Sequence, residues 1–204
     1  DVGQEATGFI AIGQIATGVI AIGQMATGVI AIGQVARGIV GGIESRPGIS
    51  VKLSALHPRY EQAQRGRVLE ELTPRLLLLA QSARASGISL CIDAEEADRL
   101  SLSLDLFERV YRDASLLHWD GLGLAVQGFQ KRAIAVIEWL EALGREVGRR
   151  IPVRLVKGAY WDTEVKRAQE AGLAGYPVFT RKANTDVAYL ACARRLLAAR
   201  DVFY

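Results

Sequence analysis

Charge is what the first part of this sequence lacks: between Glu5 and Arg37 there is no Asp, Glu, Lys or Arg. Cysteine is scarce as well. Cys91 and Cys192 are the only two, far apart and each in an apolar stretch. They make no disulfide framework and read as buried thiols of a reduced cytosol. Histidine is nearly absent, and His57 and His118 are too distant in sequence to suggest a metal site. No strong charge bias exists, since 25 basic and 22 acidic side chains leave a net charge of +3. That small excess is no basic patch, and it does not indicate nucleic acid or anionic lipid as a main partner. The start, Asp1-Val2-Gly3-Gln4-Glu5, is not a basic stretch leading into a short apolar core, so no secretory signal is expected. The missing initiator Met leads to the expectation of a piece of a longer protein. Half of the 204 residues are hydrophobic, enough for one sizeable domain with or without an appendage.

Two compositions meet in the run Gly41-Gly42-Ile43-Glu44-Ser45-Arg46-Pro47-Gly48, loop-like by its Gly, Ser and Pro content. Residues 1–42 are a repeat. The ten residues from Thr7 to Ala16 recur at 17–26 and again at 27–36, and glycine falls at every fifth position from Gly3 to Gly38. On a helix a period of five advances about 500° per repeat, so no face would form. On a β-solenoid each pentad repeats the same inward and outward positions, with Ile, Val and Ala stacked inside and Gly at the corners. The expectation is a short solenoid of extended segments with a five-residue period, four pentads to a coil. The likeness to pentapeptide-repeat solenoids is one of period only. An uncharged stretch of this length could also span a bilayer, but its regular Gly, Thr and Gln argue against that.

Residues 43–204 alternate strand-like and helix-like patterns. Apolar runs of strand length occur at 49–56, 88–94, 122–127 and 152–156. Helical patterns occupy 75–86, 96–113, 131–147, 162–172 and a last stretch capped at Asn184 or Thr185 and ending near Arg200. Thr73-Pro74 reads as the N-cap and first position of the first of these. Near-continuous apolar strands between helices mean a parallel sheet covered by helices. Each strand has a polar residue in its middle or at its C-terminal end: Lys52, Asp93, Gln127 and Arg154. A charge within an apolar strand needs a partner. Four of them suggest one shared site at the C-terminal face of the sheet, where barrels of this kind place their chemistry; four separate bracing ion pairs are the alternative. No Gly-x-Gly-x-x-Gly follows the first strand, so a Rossmann nucleotide site is not supported.

At these positions the sequence resembles a known family. Val51-Lys52-Leu53-Ser54-Ala55-Leu56-His57-Pro58-Arg59-Tyr60, Ile92-Asp93-Ala94-Glu95-Glu96, Val126-Gln127-Gly128-Phe129-Gln130-Lys131-Arg132 and Arg154-Leu155-Val156-Lys157-Gly158-Ala159-Tyr160-Trp161-Asp162 resemble strands one to four of proline dehydrogenase, in the form found in bacterial bifunctional proline utilization A. Gly175-Tyr176-Pro177-Val178-Phe179-Thr180-Arg181-Lys182 continues the likeness, which covers residues 43–204.

The resemblance implies an α/β fold, a partial (βα)8 TIM-type barrel holding FAD, with the first five to six units present and strand six beginning at Val202-Phe203-Tyr204. It implies oxidation of L-proline to Δ1-pyrroline-5-carboxylate in proline catabolism to glutamate, with quinone as electron acceptor. A cytoplasmic location is expected, with the parent protein in peripheral contact with the inner membrane face. By resemblance, Lys52 and Asp93 would form an ion pair beside the substrate, Tyr160 would pack on the proline ring, and Arg154 would lie beside flavin N5. Gln127, Lys157, Gly158 and Trp161 would line the cofactor, with Arg181 and Lys182 on its phosphate side. The arginine pair that grips the proline carboxylate in the family lies in a helix not found before Tyr204, so the chain by itself is expected to be inactive. His57 reads as structural, His118 as part of a surface-like loop, and Glu95 and Glu96 as helix N-terminal charges. The alternative function is a structural or interaction solenoid carrying an inactive barrel fragment.

Overall fold

The structure is a computed structural model. It describes residues 48–204 in full and, before them, the backbone of four strands: β1 (Val2–Gly28), β2 (Ile30–Ile32), β3 (Val35–Val40) and β4 (Ile43–Ser45). The chain divides into two compact units, residues 1–50 with 83–89, and residues 51–82 with 90–204.

In the first unit the strands form a sheet of order β2-β1-β3-β4. β1 pairs in parallel with β2 at Ile20 and Ile30, and with β3 at Met25 and Val35, so both pairings join residues ten apart. The pairing therefore follows the ten-residue repeat, two pentads rather than the four expected for a coil. β4 turns back antiparallel to β3, with Ile39 opposite Glu44. The expected inward stacking of Ile, Val and Ala concerns side chains outside the described residues.

The second sheet has the order β5-β6-β7-β8, formed by Gly48–Val51, Ser89–Ile92, Leu122–Gln127 and Val153–Val156. β6, β7 and β8 are parallel, with Leu90 beside Leu122 and Leu124 beside Val153. Every residue of β7 is buried, which is why it reads as an unbroken apolar run. Helices connect the strands: α1 (Leu53–Leu56), α2 (Arg65–Ala85), α3 (Leu100–Tyr111), α4 (Ala133–Val147), α5 (Trp161–Glu170) and α6 (Lys182–Ala198). α3 and α4 bury Leu102, Leu106, Phe107 and Val136, Ile137, Leu140 at helical spacing. Gly148 (φ 70°) caps α4 in the left-handed conformation that glycine adopts without strain.

At the N-terminal ends of the strands the buried Arg149 is enclosed by carbonyls. It donates to the backbone oxygens of Tyr111 and Trp119, both at 2.7 Å, and lies 4.3 Å above the Tyr111 ring. The Tyr111 hydroxyl donates in return to the Arg149 carbonyl at 2.7 Å. A buried guanidinium is tolerable because both of its terminal nitrogens donate in this way and the charge faces the Tyr111 ring.

Three elements differ from the sequence expectation. The first strand stops at Val51 instead of continuing to 56, because the Ser54 N–H is captured by the Glu95 carboxylate at 3.0 Å and the chain turns into α1. Helix α2 starts at Arg65 and runs straight through Pro74, so Thr73-Pro74 is not its start. Buried Leu69, Leu72 and Leu76 on either side of the proline hold the helix together, and Thr73 Oγ1 donates back to the Leu69 carbonyl at 2.5 Å. The number of strands is also smaller than expected. Among the described residues four strands form the sheet, and 202–204 run parallel to β8, with Ile151 N–H donating to Val202 O at 2.8 Å. Those residues take the fifth position, not the sixth. The stretch 175–182 forms no named strand and contributes an antiparallel bridge between Gln130 and Val178.

Pro74 is exposed and leaves the Glu70 carbonyl without its helical donor. Pro74→Ala is expected to stabilise the chain by about 1–2 kcal/mol, the restored bond exceeding the unfolded-state entropy that proline removes. A urea unfolding curve checks this; a lowered midpoint would show that the proline is accommodated without cost.

Candidate active site

The C-terminal ends of β5 to β8 bring Lys52, Asp93, Gln127 and Arg154 together, and the loop after β8 adds 157–161. Asp93 lies one residue beyond the Ile92–Leu124 pair, and Arg154 is paired with Ala125. The three therefore form one row across the sheet, and the small Ala125 leaves room for Arg154 Nη2 to reach Asp93 Oδ1 over it. Partial burial works against the Arg154 charge, but the hydrogen bond to Asp93, with the electrostatic attraction of Cys91 and Asp93 added, outweighs it, and the guanidinium is held firmly cationic.

The expected Lys52–Asp93 ion pair is not formed; Arg154 is the cation on Asp93. Lys52 sits at the start of α1, displaced from the strand by the turn at Val51, and its Nζ donates to the Tyr160 hydroxyl at 3.5 Å. The same ammonium lies 5.9 Å from the Tyr160 ring centre, a cation–π contact at a solvated position. Tyr160 is 57 % exposed and holds a left-handed backbone (φ 65°) at the start of α5, where its carbonyl accepts the Glu164 N–H. A non-glycine residue in this conformation carries backbone strain of a kind that gathers at functional loops.

Gln127 is the buried polar residue of the group. Its Nε2 donates to the Glu95 carbonyl at 2.8 Å and its Oε1 accepts the Ala159 N–H at 3.0 Å. The amide thus ties the loop after β6 to the loop after β8. Gly158 needs to be glycine on two counts: its φ is 137°, and a Cβ there would stand 2.5 Å from the Phe129 ring.

Beside this cluster lies a cleft of about 340 Å³ between the 157–161 loop and the start of α6. Phe129, Gly158, Trp161 and Phe179 supply its apolar walls, and Lys157 and Lys182 its charge. Trp161 Nε1 donates to the Phe179 carbonyl at 2.9 Å, which fixes the indole plane. Asp186 accepts from both lysines, at 2.5 Å from Lys157 and 2.7 Å from Lys182, and these bonds hold its carboxyl below the ordinary carboxylate range. Arg181 precedes α6 with an exposed side chain and is outside the cleft lining.

Three acids make contacts that the sequence did not reveal. Glu95 and Glu96 stand just before the helical stretch that begins at Ala97, as expected of helix N-terminal charges, but Glu95 has further contacts. It accepts from Ser54 N–H and pairs with Arg99 at 2.9 Å. Glu164 is buried on α5, where burial raises its pKa, and it accepts the Ala97 N–H at 2.8 Å. Asp186 carried a visible signal, standing four residues after Lys182 on a helical stretch. His57 is buried, with its Nε2 meeting Glu71 at 3.1 Å and its Nδ1 accepting the Arg59 N–H. Cys192 is buried, whereas Cys91 is only half-buried. Among the described residues no group of acidic, His and Cys side chains could hold a metal, and no helix is long and apolar enough to cross a membrane.

Residues 20–204 match the family model of proline dehydrogenase. The chain belongs to the proline dehydrogenase family. The bifunctional protein PutA of Salmonella typhimurium is 57 % identical over 163 residues, which are 80 % of this chain and 12 % of that protein. A crystal structure of a Bradyrhizobium japonicum proline utilization A mutant superposes with a TM-score of 0.77 at 62 % identity, covering 78 % of this chain and 16 % of the other. The corresponding protein of Bdellovibrio bacteriovorus, in a structure inactivated by N-propargylglycine, gives 0.73 at 28 % identity over 76 % and 16 %. The chain thus spans about an eighth of the curated relative it matches. The sheet with its parallel strands β6, β7 and β8 is similar to the proline dehydrogenase fold of those structures.

In this proline dehydrogenase segment, Gly158→Ala is expected to destabilise by about 2–3 kcal/mol, combining a forced positive φ with overpacking against Phe129. Urea denaturation measures it, and an unchanged midpoint would mean the loop moves freely away from the ring.

Proposed function

We propose that the second unit is part of a flavin-dependent proline dehydrogenase that oxidises L-proline to Δ1-pyrroline-5-carboxylate. The observation that carries this reading is the row of Asp93, Ala125 and Arg154 beside the Lys52–Tyr160 contact, with a lysine-rich cleft next to it. FAD fits the residues present. Gly158 allows backbone approach where any side chain would collide, Trp161 offers a fixed aromatic wall, and Lys157 and Lys182 supply cations for a diphosphate. When bound, FAD supplies the hydride-accepting chemistry.

The chain's own residues do the positioning. Asp93 orients the Arg154 guanidinium and keeps it cationic, so that a fixed positive charge stands where negative charge develops during oxidation. Lys52 and Tyr160 form the wall against which the proline ring packs, with no reactive group in contact with it. Gln127 sets the height of the 157–161 loop through its bond to Ala159 N–H. Lys157, Gly158, Trp161 and Lys182 hold the cofactor, and Arg181 contributes charge near its phosphate side. The wider reading follows the family: a (βα)8 barrel in the whole protein, quinone as electron acceptor, and a cytoplasmic location with peripheral contact at the inner membrane face.

The domain boundary belongs to the same proposal: a repeat segment at 1–42 and the barrel segment at 43–204. The ten-residue parallel register of β1 with β2 and β3 supports a β-solenoid of two pentads per coil. It also favours a second reading, in which the repeat serves an interaction role and the barrel segment is passive.

A chimera separates the two. Residues 43–204 joined to the part of the Salmonella PutA barrel that follows the matched stretch should bind FAD and bleach it on mixing with L-proline in a stopped-flow spectrometer. Arg154→Met in that chimera should slow bleaching by about 10²–10³-fold while leaving the fold, since Met keeps the length and apolar packing. Bleaching at an undiminished rate would remove the role given to Arg154, and a colourless chimera would favour the passive reading.

A further inference from the structure

Asp186 is the one acid among the lining residues of the cleft, and it engages both lysines there. One carboxylate oxygen accepts from Lys157 on the loop after β8, and the other from Lys182, one helical turn earlier on α6. The arrangement is not a surface pair of chance. The two cations come from different elements, and each takes its own oxygen of one carboxylate. Two oxygens of a carboxylate are spaced much like two oxygens of a phosphate, so the lysines already hold the geometry that a phosphate would impose. All three groups are open to solvent, with side-chain exposures of 54 % for Lys157, 82 % for Lys182 and 37 % for Asp186. An incoming anion can therefore reach them. The carboxylate is firmly ionised, because hydrogen bonds from Lys157 first and Lys182 second depress its pKa.

We infer that Asp186 is an internal counter-anion of the cofactor cleft, holding Lys157 and Lys182 in place until a nucleotide diphosphate displaces its carboxylate. This rests on the cofactor reading of the cleft and adds a residue that opposes binding. Pre-ordering the lysines lowers the entropic cost of assembling the site. Its charge meanwhile weakens the grip on any anion, and a site with one carboxylate against two lysines rejects single small anions in favour of a ligand that brings more than one negative charge and an aromatic ring for Trp161. No bond is made or broken; one ion pair is exchanged for another.

The test is a calorimetric titration of the 204-residue chain with ADP, and separately with inorganic pyrophosphate. Asp186→Asn should bind ADP about ten-fold tighter than the native chain, the effect of removing one unit charge a few ångström from an anion in a solvated cleft. Asp186→Glu should behave like the native chain. A second measurement does not depend on ligand affinity. Acylation of amines followed by peptide mass spectrometry should show Lys157 and Lys182 reacting faster in Asp186→Asn, and ADP should protect both. Equal ADP binding by the native chain and Asp186→Asn overturns the counter-anion role but leaves the cleft a phosphate site. Weaker binding by Asp186→Asn overturns it too, since Asp186 would then act only as an organiser. If neither chain binds ADP and neither lysine changes reactivity, the inference and the phosphate assignment of the cleft both fall, whereas the flavin chemistry is judged by the chimera.

Discussion

Asp93 and Arg154 meet across a strand to which neither belongs, and the rest of the site depends on that contact. Both lie in the half-buried end of a parallel sheet, where a charge without a partner would be costly. The contact needs three conditions at once: the register that puts Arg154 beside Ala125, the register that puts Asp93 one step beyond Ile92, and a side chain no larger than a methyl between them. Once the pair forms, Asp93 is no longer free for Lys52. The Lys52 ammonium turns to Tyr160 instead, and Tyr160 sits at the strained start of α5.

The second constraint is Gln127. Its amide uses one donor on Glu95 and its acceptor on Ala159, so the ends of β6 and β8 are joined through the central strand. Glu95 in turn captures Ser54 and ends the first strand early. A belt of hydrogen bonds thus runs from Ser54 through Glu95 and Gln127 to Ala159. It sets the positions of Lys52 at one end and of Gly158 and Trp161 at the other. The polar cluster and the apolar cleft are separate in composition, yet the same loop, 157–161, lines both.

Much of this was legible in the sequence, for reasons of period. Parallel strands buried on both faces leave continuous apolar runs, and β6, β7 and β8 were found within two residues at their ends. The site residues were legible as polar interruptions of those runs and through the motifs around Asp93, Gln127 and Arg154. Partnership was not legible. Sequence places Lys52, Asp93 and Arg154 on successive strands but does not say which registers align, and the bridging role of Ala125 leaves no mark on composition. Pro74 misled because the usual preference of proline for a first helical position was overridden by buried leucines on both sides. The added contact of Glu95 was not legible because its partner, Ser54 N–H, is 41 residues away.

The central claim is that the C-terminal ends of β5 to β8 with the 157–161 loop form a flavin nucleotide site. Hydrogen–deuterium exchange of the chain with and without FAD tests it most directly, since it reads backbone protection without requiring turnover. The account predicts added protection at the C-terminal ends of β5 to β8, at 157–161 and in the first turns of α6, with Arg149, Arg150 and Tyr204 at the other end of the strands unchanged. Protection at that opposite end, or none at 157–161 at saturating FAD, would contradict it.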